Sequence, residues 1–126
     1  MASDAPAPPK AAHLEAGEAA ERLALRFLQE QGLRLVQSNF RCKSGELDLI
    51  MRDGGVLVVV EVRRRRSNSH GGPLASITGG KQARIIAAAQ QYVIMRRLTH
   101  LPLRFDVVTF TGDQPPHWIK DAFRTY

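Results

Sequence analysis

Acidic side chains occupy two segments that otherwise have the composition of β-strands. Glu46–Met51 and Val56–Val62 are mostly apolar, and the Asp-Gly-Gly sequence between them is a strong signal for a tight hairpin turn. Asp48 nevertheless interrupts the first strand and Glu61 interrupts the second. Burial and β-propensity both disfavour carboxylates at such positions. The pattern therefore indicates chemistry at this hairpin.

The spacing of these acids decides whether they meet, because side chains alternate between the two faces of a strand. Glu46 and Asp48 share one face of the first strand, and Glu61 shares a face of the second with Arg63. A turn centred near Gly54 places Glu46 opposite Glu61. A register two residues different places Asp48 directly opposite Glu61. In both registers two carboxylates lie on one face with Cβ atoms roughly 5–8 Å apart, which suits a hard cation such as Mg²⁺.

A structural ion pair is the alternative explanation for Glu61. The strand Val56–Val62 is almost wholly apolar, as expected for a central strand that is covered on both faces. A carboxylate buried there requires a cation or a hydrogen-bond donor. Arg63 or Arg104 would supply that partner without any catalytic purpose. On the residues alone, the ion pair and the metal site both stay open.

Several separated motifs follow one another in a fixed order along residues 13–124. They are Gly17-Glu18 with Leu25, Gly45-Glu46-Leu47-Asp48-Leu49-Ile50, Val60-Glu61-Val62-Arg63 with Arg65, Lys81 ahead of an apolar helix, Arg104-Phe105-Asp106-Val107-Val108, and Trp118-Ile119-Lys120-Asp121-Ala122-Phe123. In this combination the chain resembles the YraN family of small bacterial proteins. That family in turn resembles archaeal Holliday-junction resolvases and the restriction-endonuclease-like fold. The resemblance implies that Asp48 and Glu61 bind Mg²⁺ or Mn²⁺ and are catalytic. It also implies Glu18 as a catalytic helix carboxylate and Arg63 as a catalytic cation.

Arg63 is where the chain departs from the family pattern, which has Lys after Val-Glu-Val. Lysine at that position is thought to activate water and to stabilise developing charge. Arginine keeps the positive charge but does not deprotonate, and it presents a planar fork. The resemblance therefore implies a metal-dependent endonuclease that acts on branched or structured DNA, or a catalytically impaired nucleic-acid-binding module with a nuclease fold. A structural or adaptor protein whose acidic pair is a buried salt bridge is the third hypothesis.

Basic residues predict a polyanionic partner. The 126 residues carry a net charge of +6, and Arg63, Arg64, Arg65 and Arg66 form a run before a flexible Gly-rich loop. With Lys81, these arginines are candidate contacts to a DNA backbone, although a solvated basic surface is the simpler alternative. No recognition helix, zinc module or aromatic platform is evident. Binding that selects DNA structure rather than sequence is therefore expected.

The composition limits the remaining possibilities. Residues 13–126 are predicted to form one domain after a disordered tail at residues 1–12, which is rich in Ala and Pro. A single cysteine, Cys42, excludes an intrachain disulfide and a Cys-rich zinc site. No apolar run is long enough to span a bilayer and no signal segment is evident, so no membrane partner and a cytoplasmic location are expected. A homodimer is expected only from the resemblance to junction resolvases.

Hydrophobic periodicity predicts an α/β domain with a mixed central sheet and helices on its faces. A first helix is expected over 13–31, with an apolar face that includes Leu23, and with Glu18 and Glu21 elsewhere on the wheel. Strands are expected over 33–40 and 103–110. A second helix is expected over 80–98, between the hairpin and the strand 103–110. The first three strands should form an antiparallel meander, and the second helix should return the chain to a parallel strand. Trp118 and Phe123 mark a final edge strand.

Overall fold

A computed structural model of the protein describes residues 9–65 and 72–125, with side chains described from Gly17 onward. The elements in this part of the chain are α1 (Pro9–Glu30), β1 (Arg34–Cys42), β2 (Gly45–Asp53), β3 (Val56–Arg65), α2 (Gly79–Met95), β4 (Leu103–Thr111) and β5 (His117–Phe123). Helix α1 begins four residues before the predicted start at His13. Residues 1–8 of the predicted tail lie outside the described residues.

The five strands form one mixed sheet in the order β1-β2-β3-β4-β5. Strands β1, β2 and β3 are an antiparallel meander, and α2 carries the chain across to β4, which runs parallel to β3. Strand β5 pairs antiparallel with β4 at the edge. This arrangement confirms the predicted α/β class with a meander and one parallel strand. It is consistent with a restriction-endonuclease-like fold.

Each face of the sheet is covered by one helix, and β3 contributes to both cores. Val58, Val60 and Val62 face α1, whereas Leu57 and Val59 face α2. The central strand is therefore buried on both sides, as its apolar composition predicts. In the described residues, neither helix has the apolar length needed to cross a membrane.

Helix α1 is rotated from the expected orientation. Its buried stripe consists of Ala20, Ala24 and Leu28, whereas Leu23 is 52% exposed. The prediction that Leu23 faces the core is therefore wrong. Small alanine side chains let the helix approach the sheet closely, so the two alanines define the contact line. Glu21, which is three residues before Ala24, lies half-buried beside this stripe.

Arg104 and Asp106 form a closed polar cluster with their neighbours. Arg104 Nε and Nη2 each donate to a different oxygen of the fully buried Asp106 at 2.9 Å, and Nη1 donates to Asp53 at 3.0 Å. Trp118 Nε1 and the Asp121 backbone N–H complete the shell at 3.0 and 2.9 Å. The structural role expected for this pair is therefore confirmed, and Arg104 is not the partner of Glu61.

Both outer strands depart from regular pairing. Strand β1 shifts its register between Leu35 and Gln37, and β5 shifts in the part that faces Phe105 to Val107 of β4. Asn39 in β1 and Asp121 in β5 each have φ of 54°. This left-handed region is one that Asn and Asp tolerate better than most other non-glycine residues.

The polar cluster predicts a large loss of stability for Asp106→Ala. The substitution leaves the Arg104 guanidinium, the Trp118 indole and a backbone N–H without their acceptor, at a cost of about 3–5 kcal/mol. Urea unfolding measures the change. Arg41→Ala is the control, because Arg41 forms only an exposed 3.6 Å pair with Glu46, and about 1 kcal/mol or less is expected. Equal effects of the two variants would contradict the prediction.

Candidate active site

Asp48 and Glu61 lie opposite each other where the ladder between β2 and β3 ends. Asp53 pairs with Val56 across the turn, and the continuation of this register sets Asp48 against Glu61. The second of the two predicted registers is therefore correct. The register that places Glu46 opposite Glu61 is wrong, because the two turn residues are Gly54 and Gly55 rather than Asp53 and Gly54.

At this point the backbone N–H groups of the two strands donate to side-chain carboxylates instead of to backbone carbonyl groups. Leu49 and Val60 form the last regular pair. Beyond it, the Val62 N–H donates to Asp48 Oδ2 at 2.9 Å, and the Asp48 N–H donates weakly to Glu61 Oε2 at 3.4 Å. Each carboxylate thus accepts from the neighbouring strand, and this reciprocal arrangement fixes both side chains in place.

The strand alternation also changes at Asp48. Leu47 and Ile50 lie in the core beneath α2, whereas Leu49 and Met51 lie in the core beneath α1. Strict alternation would have placed Leu47 with Leu49. The alternation of side chains between the two faces of β2 is therefore interrupted next to Asp48.

Burial raises the pKa values of both carboxyl groups. Glu61 is only 4% exposed, and burial followed by the charge of Asp48 raises its pKa to about 8. Burial likewise raises the pKa of Asp48, although the Val62 N–H and the charge of Arg63 oppose the rise. Burial and mutual repulsion therefore disfavour the ionisation of both groups together, as expected for two carboxylates held close to each other out of water.

Arg63 is a loose partner of this pair. Its Nη2 lies 3.6 Å from Glu61 Oε1, and its Nη1 donates to the Val62 carbonyl at 3.4 Å. Its Nε is buried and has no partner among the described residues. The ion pair expected as the alternative explanation is thus present, but it does not bring the Glu61 pKa down to its ordinary range.

A cavity of about 370 Å³ opens beside the pair. Its lining residues are Gly45, Glu46, Asp48, Glu61, Arg63, Lys81, Arg84 and Ile85. The structure therefore brings together the predicted Asp48, Glu61, Arg63 and Lys81. A divalent cation and a phosphate group are both of a size that such a space admits.

Lys81 and Arg84 form the wall that α2 contributes. Thr78 caps the helix as predicted, and its hydroxyl accepts from the Lys81 N–H at 3.2 Å. Lys81 Nζ donates to the Ser76 carbonyl at 3.0 Å, which holds the ammonium near the cavity. Sequence reasoning missed Arg84. Its spacing of three residues from Lys81 was a signal, because residues i and i+3 lie on one face of a helix.

Glu21, rather than Glu18, is the α1 carboxylate whose charge acts on the pair. Glu18 is exposed and lies outside the cavity lining. Glu21 is half-buried, and burial and then the charge of Asp48 raise its pKa. The structure therefore does not place Glu18 at the acidic pair, and its catalytic role stays a prediction. The signal for Glu21 was its spacing of three and seven residues from Ala24 and Leu28, which are both fully buried.

The other predicted DNA contacts lie away from this cavity or outside the described residues. Arg64 and Arg65 continue β3 beside Phe110 and Thr111 of β4, and neither lines the cavity. Arg66 lies outside the described residues. Of the arginine run, Arg63 is therefore the member that the structure places at the acidic pair.

The donor set fits a divalent cation only in part. Asp48 and Glu61 offer hard carboxylate oxygens, which Mg²⁺ and Mn²⁺ prefer. Within the part of the chain that the structure describes, no three His, Cys, Asp or Glu side chains are grouped to hold a metal ion by themselves. A cation between these two carboxylates would therefore take its other ligands from water and substrate, as is usual for Mg²⁺.

The pKa of Glu61 predicts that stability falls as pH rises. Because the pKa is about 8 in the folded chain and 4.5 is its ordinary value, the folded state holds the proton more tightly between these limits. The free energy of unfolding should therefore decrease from about pH 4.5 to pH 8. Urea unfolding with EDTA present should give a flatter profile for Glu61→Gln. A profile as steep as that of the natural chain would assign the dependence to other groups.

Comparison with known proteins gives a consistent set of relatives. A family described as "Uncharacterised protein family UPF0102" matches residues 20–110. A UPF0102 protein of Alkalilimnicola ehrlichii is 53% identical over 120 residues, which cover 94% of this chain and 91% of the relative. A UPF0102 protein of Nitrosococcus oceani is 48% identical over 118 residues, which cover 90% of this chain and 95% of the relative.

One solved structure, described as "Crystal structure of SSO0001", aligns with 86% of this chain and 52% of its own. It shares 19% sequence identity and has a TM-score of 0.40, a likeness too weak to support any inference. The sequence relatives, in contrast, match along most of the chain. The chain therefore belongs to the UPF0102 family, which is the YraN family that its sequence motifs resemble.

Proposed function

We propose that the protein is a metal-dependent endonuclease that acts on branched or otherwise structured DNA. The observation that carries the proposal is a single cavity lined by two carboxylates with raised pKa values and by an arginine whose buried Nε has no partner among the described residues. Phosphodiester hydrolysis needs acidic ligands for a cation and positive charge for the phosphate. A carboxylate buried only for packing has no need of such a cavity.

Asp48 and Glu61 would hold the Mg²⁺ or Mn²⁺. Both side chains are fixed by N–H donors from the facing strand, so little reordering would accompany binding. The proton that the pair retains at neutral pH would be released when the cation binds. When bound, a divalent cation supplies Lewis-acid activation of water and neutralises charge at the phosphate. Glu21 would add negative charge that attracts the cation from the α1 side.

Arg63, Lys81 and Arg84 would position the DNA backbone. All three line the cavity that holds the carboxylates. The Arg63 Nε is a buried donor that a phosphate oxygen would satisfy, and guanidinium groups suit phosphate geometry. Contacts of this kind orient a backbone but carry no base information. Binding would therefore select DNA structure rather than sequence, and a homodimer would allow both strands of a branch to be cut by two sites at once.

A DNA-binding protein that has lost cleavage is the second candidate. The observation that favours it is Arg63 at the position where the family pattern has Lys. Arginine holds a phosphate well but does not deprotonate, so a lysine-dependent activation of water would be lost. The carboxylates and the basic wall would then serve binding alone.

Endonuclease activity predicts cleavage of a panel of branched DNAs in the presence of Mg²⁺ or Mn²⁺ and none with EDTA. Glu61→Gln and Asp48→Asn should each lower the rate at least a hundredfold, because each removes a cation ligand. Glu30→Gln, an exposed residue at the end of α1, is the control and should retain full activity. Cleavage that survives both site variants would refute the assignment.

Arg63→Lys distinguishes the two candidates. If Arg63 disables cleavage, the variant should gain metal-dependent cleavage that the natural chain lacks. If the natural chain cleaves, the variant should show no such gain. In both cases the variant should bind DNA more weakly, because lysine lacks the planar fork that holds a phosphate. Binding measured across a series of salt concentrations checks the affinity, because its slope counts the phosphates neutralised. Salt-independent or absent DNA binding by the natural chain would reject both candidates.

A further inference from the structure

Helix α1 leaves a strip of aromatic and apolar side chains open on the β5 side of its sheet face. The helix packs mainly over β1, β2 and β3. At the margin of its core, Phe27 of α1, Phe110 of β4 and Trp118 of β5 are only partly buried. Leu23 is 52% exposed and lies one turn before Phe27 on the same side of the helix. We call these four residues the α1–β5 strip.

The indole of Trp118 is the most firmly oriented ring of this strip. Its Nε1 donates to Asp106 at 3.0 Å, and the Phe27 ring meets it edge-to-face with centroids 6.0 Å apart. One face of the indole lies beneath the exposed side chain of Lys120, whose Nζ is 4.3 Å from the ring centroid. A flexible surface lysine is therefore all that this contact places over that face. The hydrogen bond to Asp106 explains the position of the indole N–H, but not the open face.

Positive charge borders the strip on two strands. Lys120 lies over the indole from β5. Arg64 is exposed on β3 and pairs in the parallel register with Phe110, so its side chain lies on the α1 face. The acid that touches the indole, Asp106, is fully buried and is already bound by both ends of a guanidinium. The surface offered to solvent thus combines aromatic rings with cations, which complements a polyanion that carries flat apolar groups.

The strip and the acidic pair lie at the same end of β3. Arg63 lines the cavity on the α2 face, and the next residue, Arg64, points to the α1 face. Trp118 pairs with Val108, which pairs with the residue after Glu61. The indole is therefore level with the acidic pair along the strands, and two strand spacings, roughly 10 Å, from β3. A polymer that leaves the cavity around the end of β3 would come next to the strip.

We propose that the α1–β5 strip binds an unpaired DNA strand, with a base stacked on Trp118 in place of the Lys120 ammonium and with Lys120 and Arg64 at the phosphates. Aromatic faces beside positive charge are the usual means by which proteins hold single strands, and they do so without sequence preference because every base has a π-face. The inference rests on the proposed function and deepens it, because it assigns an unpaired strand beside the branch to this surface.

The first experiment uses Trp118 as its own probe, since it is the only tryptophan of the chain. The natural chain is titrated in EDTA with an oligothymidylate of about twelve nucleotides, with a duplex of the same length and with heparin, which has charge but no bases. The single strand should quench the emission along the binding curve that its fluorescence anisotropy gives. The duplex should quench less, and heparin should leave the intensity nearly unchanged.

Three results would overturn the proposal. They are equal quenching by heparin and by the single strand, binding of the single strand without quenching, and no binding of it at all. Emission that changes with protein concentration in the absence of DNA would assign the strip to a second copy of the chain instead, and would overturn the proposal as well.

The second experiment compares two substitutions that share one defect. Trp118→Phe and Trp118→Leu both lose the hydrogen bond to Asp106, but only phenylalanine keeps a ring on which a base can stack. The leucine variant should therefore bind the oligothymidylate about tenfold more weakly than the phenylalanine variant. Equal affinities would overturn the proposal.

A further pair of substitutions tests the charges without altering the core. Lys120→Ala should lower the slope of log affinity against log salt by about one. Arg34→Ala, which removes an exposed charge from β1 at the opposite border of the sheet, should leave the slope unchanged. The same slope in both variants would overturn the assignment of Lys120 to a phosphate.

These measurements separate the inference from the function on which it rests, because they are made in EDTA and need no cleavage. Cleavage of branched DNA by a chain whose Trp118 emission ignores the single strand would leave the endonuclease standing and remove the role of the strip. Quenching by the single strand without metal-dependent cleavage would keep the strip and reject the endonuclease.

Discussion

Two carboxyl groups buried against each other on neighbouring strands are the constraint around which this protein is arranged. Bringing such groups together out of water is unfavourable unless donors or cations compensate them. Asp48 and Glu61 obtain part of this compensation from each other's strands, because each accepts a backbone N–H where the ladder has ended. Strand β3 cannot move away to relieve the pair, since it is fixed on its other side by nine parallel register positions with β4. The central sheet therefore keeps the two carboxyl groups close together out of water, and the pKa of Glu61 is raised as a result.

The same sheet contains a second buried acid that is handled differently. Asp106 is fully buried, yet it accepts from a bidentate guanidinium, an indole N–H and a backbone N–H, all within 3.0 Å. Glu61 has a guanidinium at 3.6 Å and one N–H at 3.4 Å. The carboxylate of Asp106, which serves stability, has several short hydrogen bonds. The carboxylate of Glu61, which lies beside the cavity, has fewer partners at longer distances. This contrast, within one domain, favours a functional origin for the Glu61 environment.

Local signals in the sequence were sufficient for the hairpin, for the order of strands and helices, and for the identity of the acidic pair. The register was decided only by the two-residue turn, which the Asp-Gly-Gly sequence does not specify uniquely. Glu21 was missed because small alanines, rather than the larger Leu23, define the contact line of α1. Arg84 was missed because its importance arises from the packing of α2 over the start of β2, a contact between distant parts of the chain. Periodicity indicates which elements form, but not which polar groups they bring together.

The irregular outer strands have a consequence beyond the site. A flat, unpaired strand edge is a template onto which another chain can add, and such addition leads to aggregation. Here both borders of the sheet are interrupted, by a register shift and a left-handed residue in β1 and by the same combination in β5. Neither border presents an unbroken row of backbone donors and acceptors. The irregular edge strands therefore disfavour the addition of a further strand at either border of the sheet.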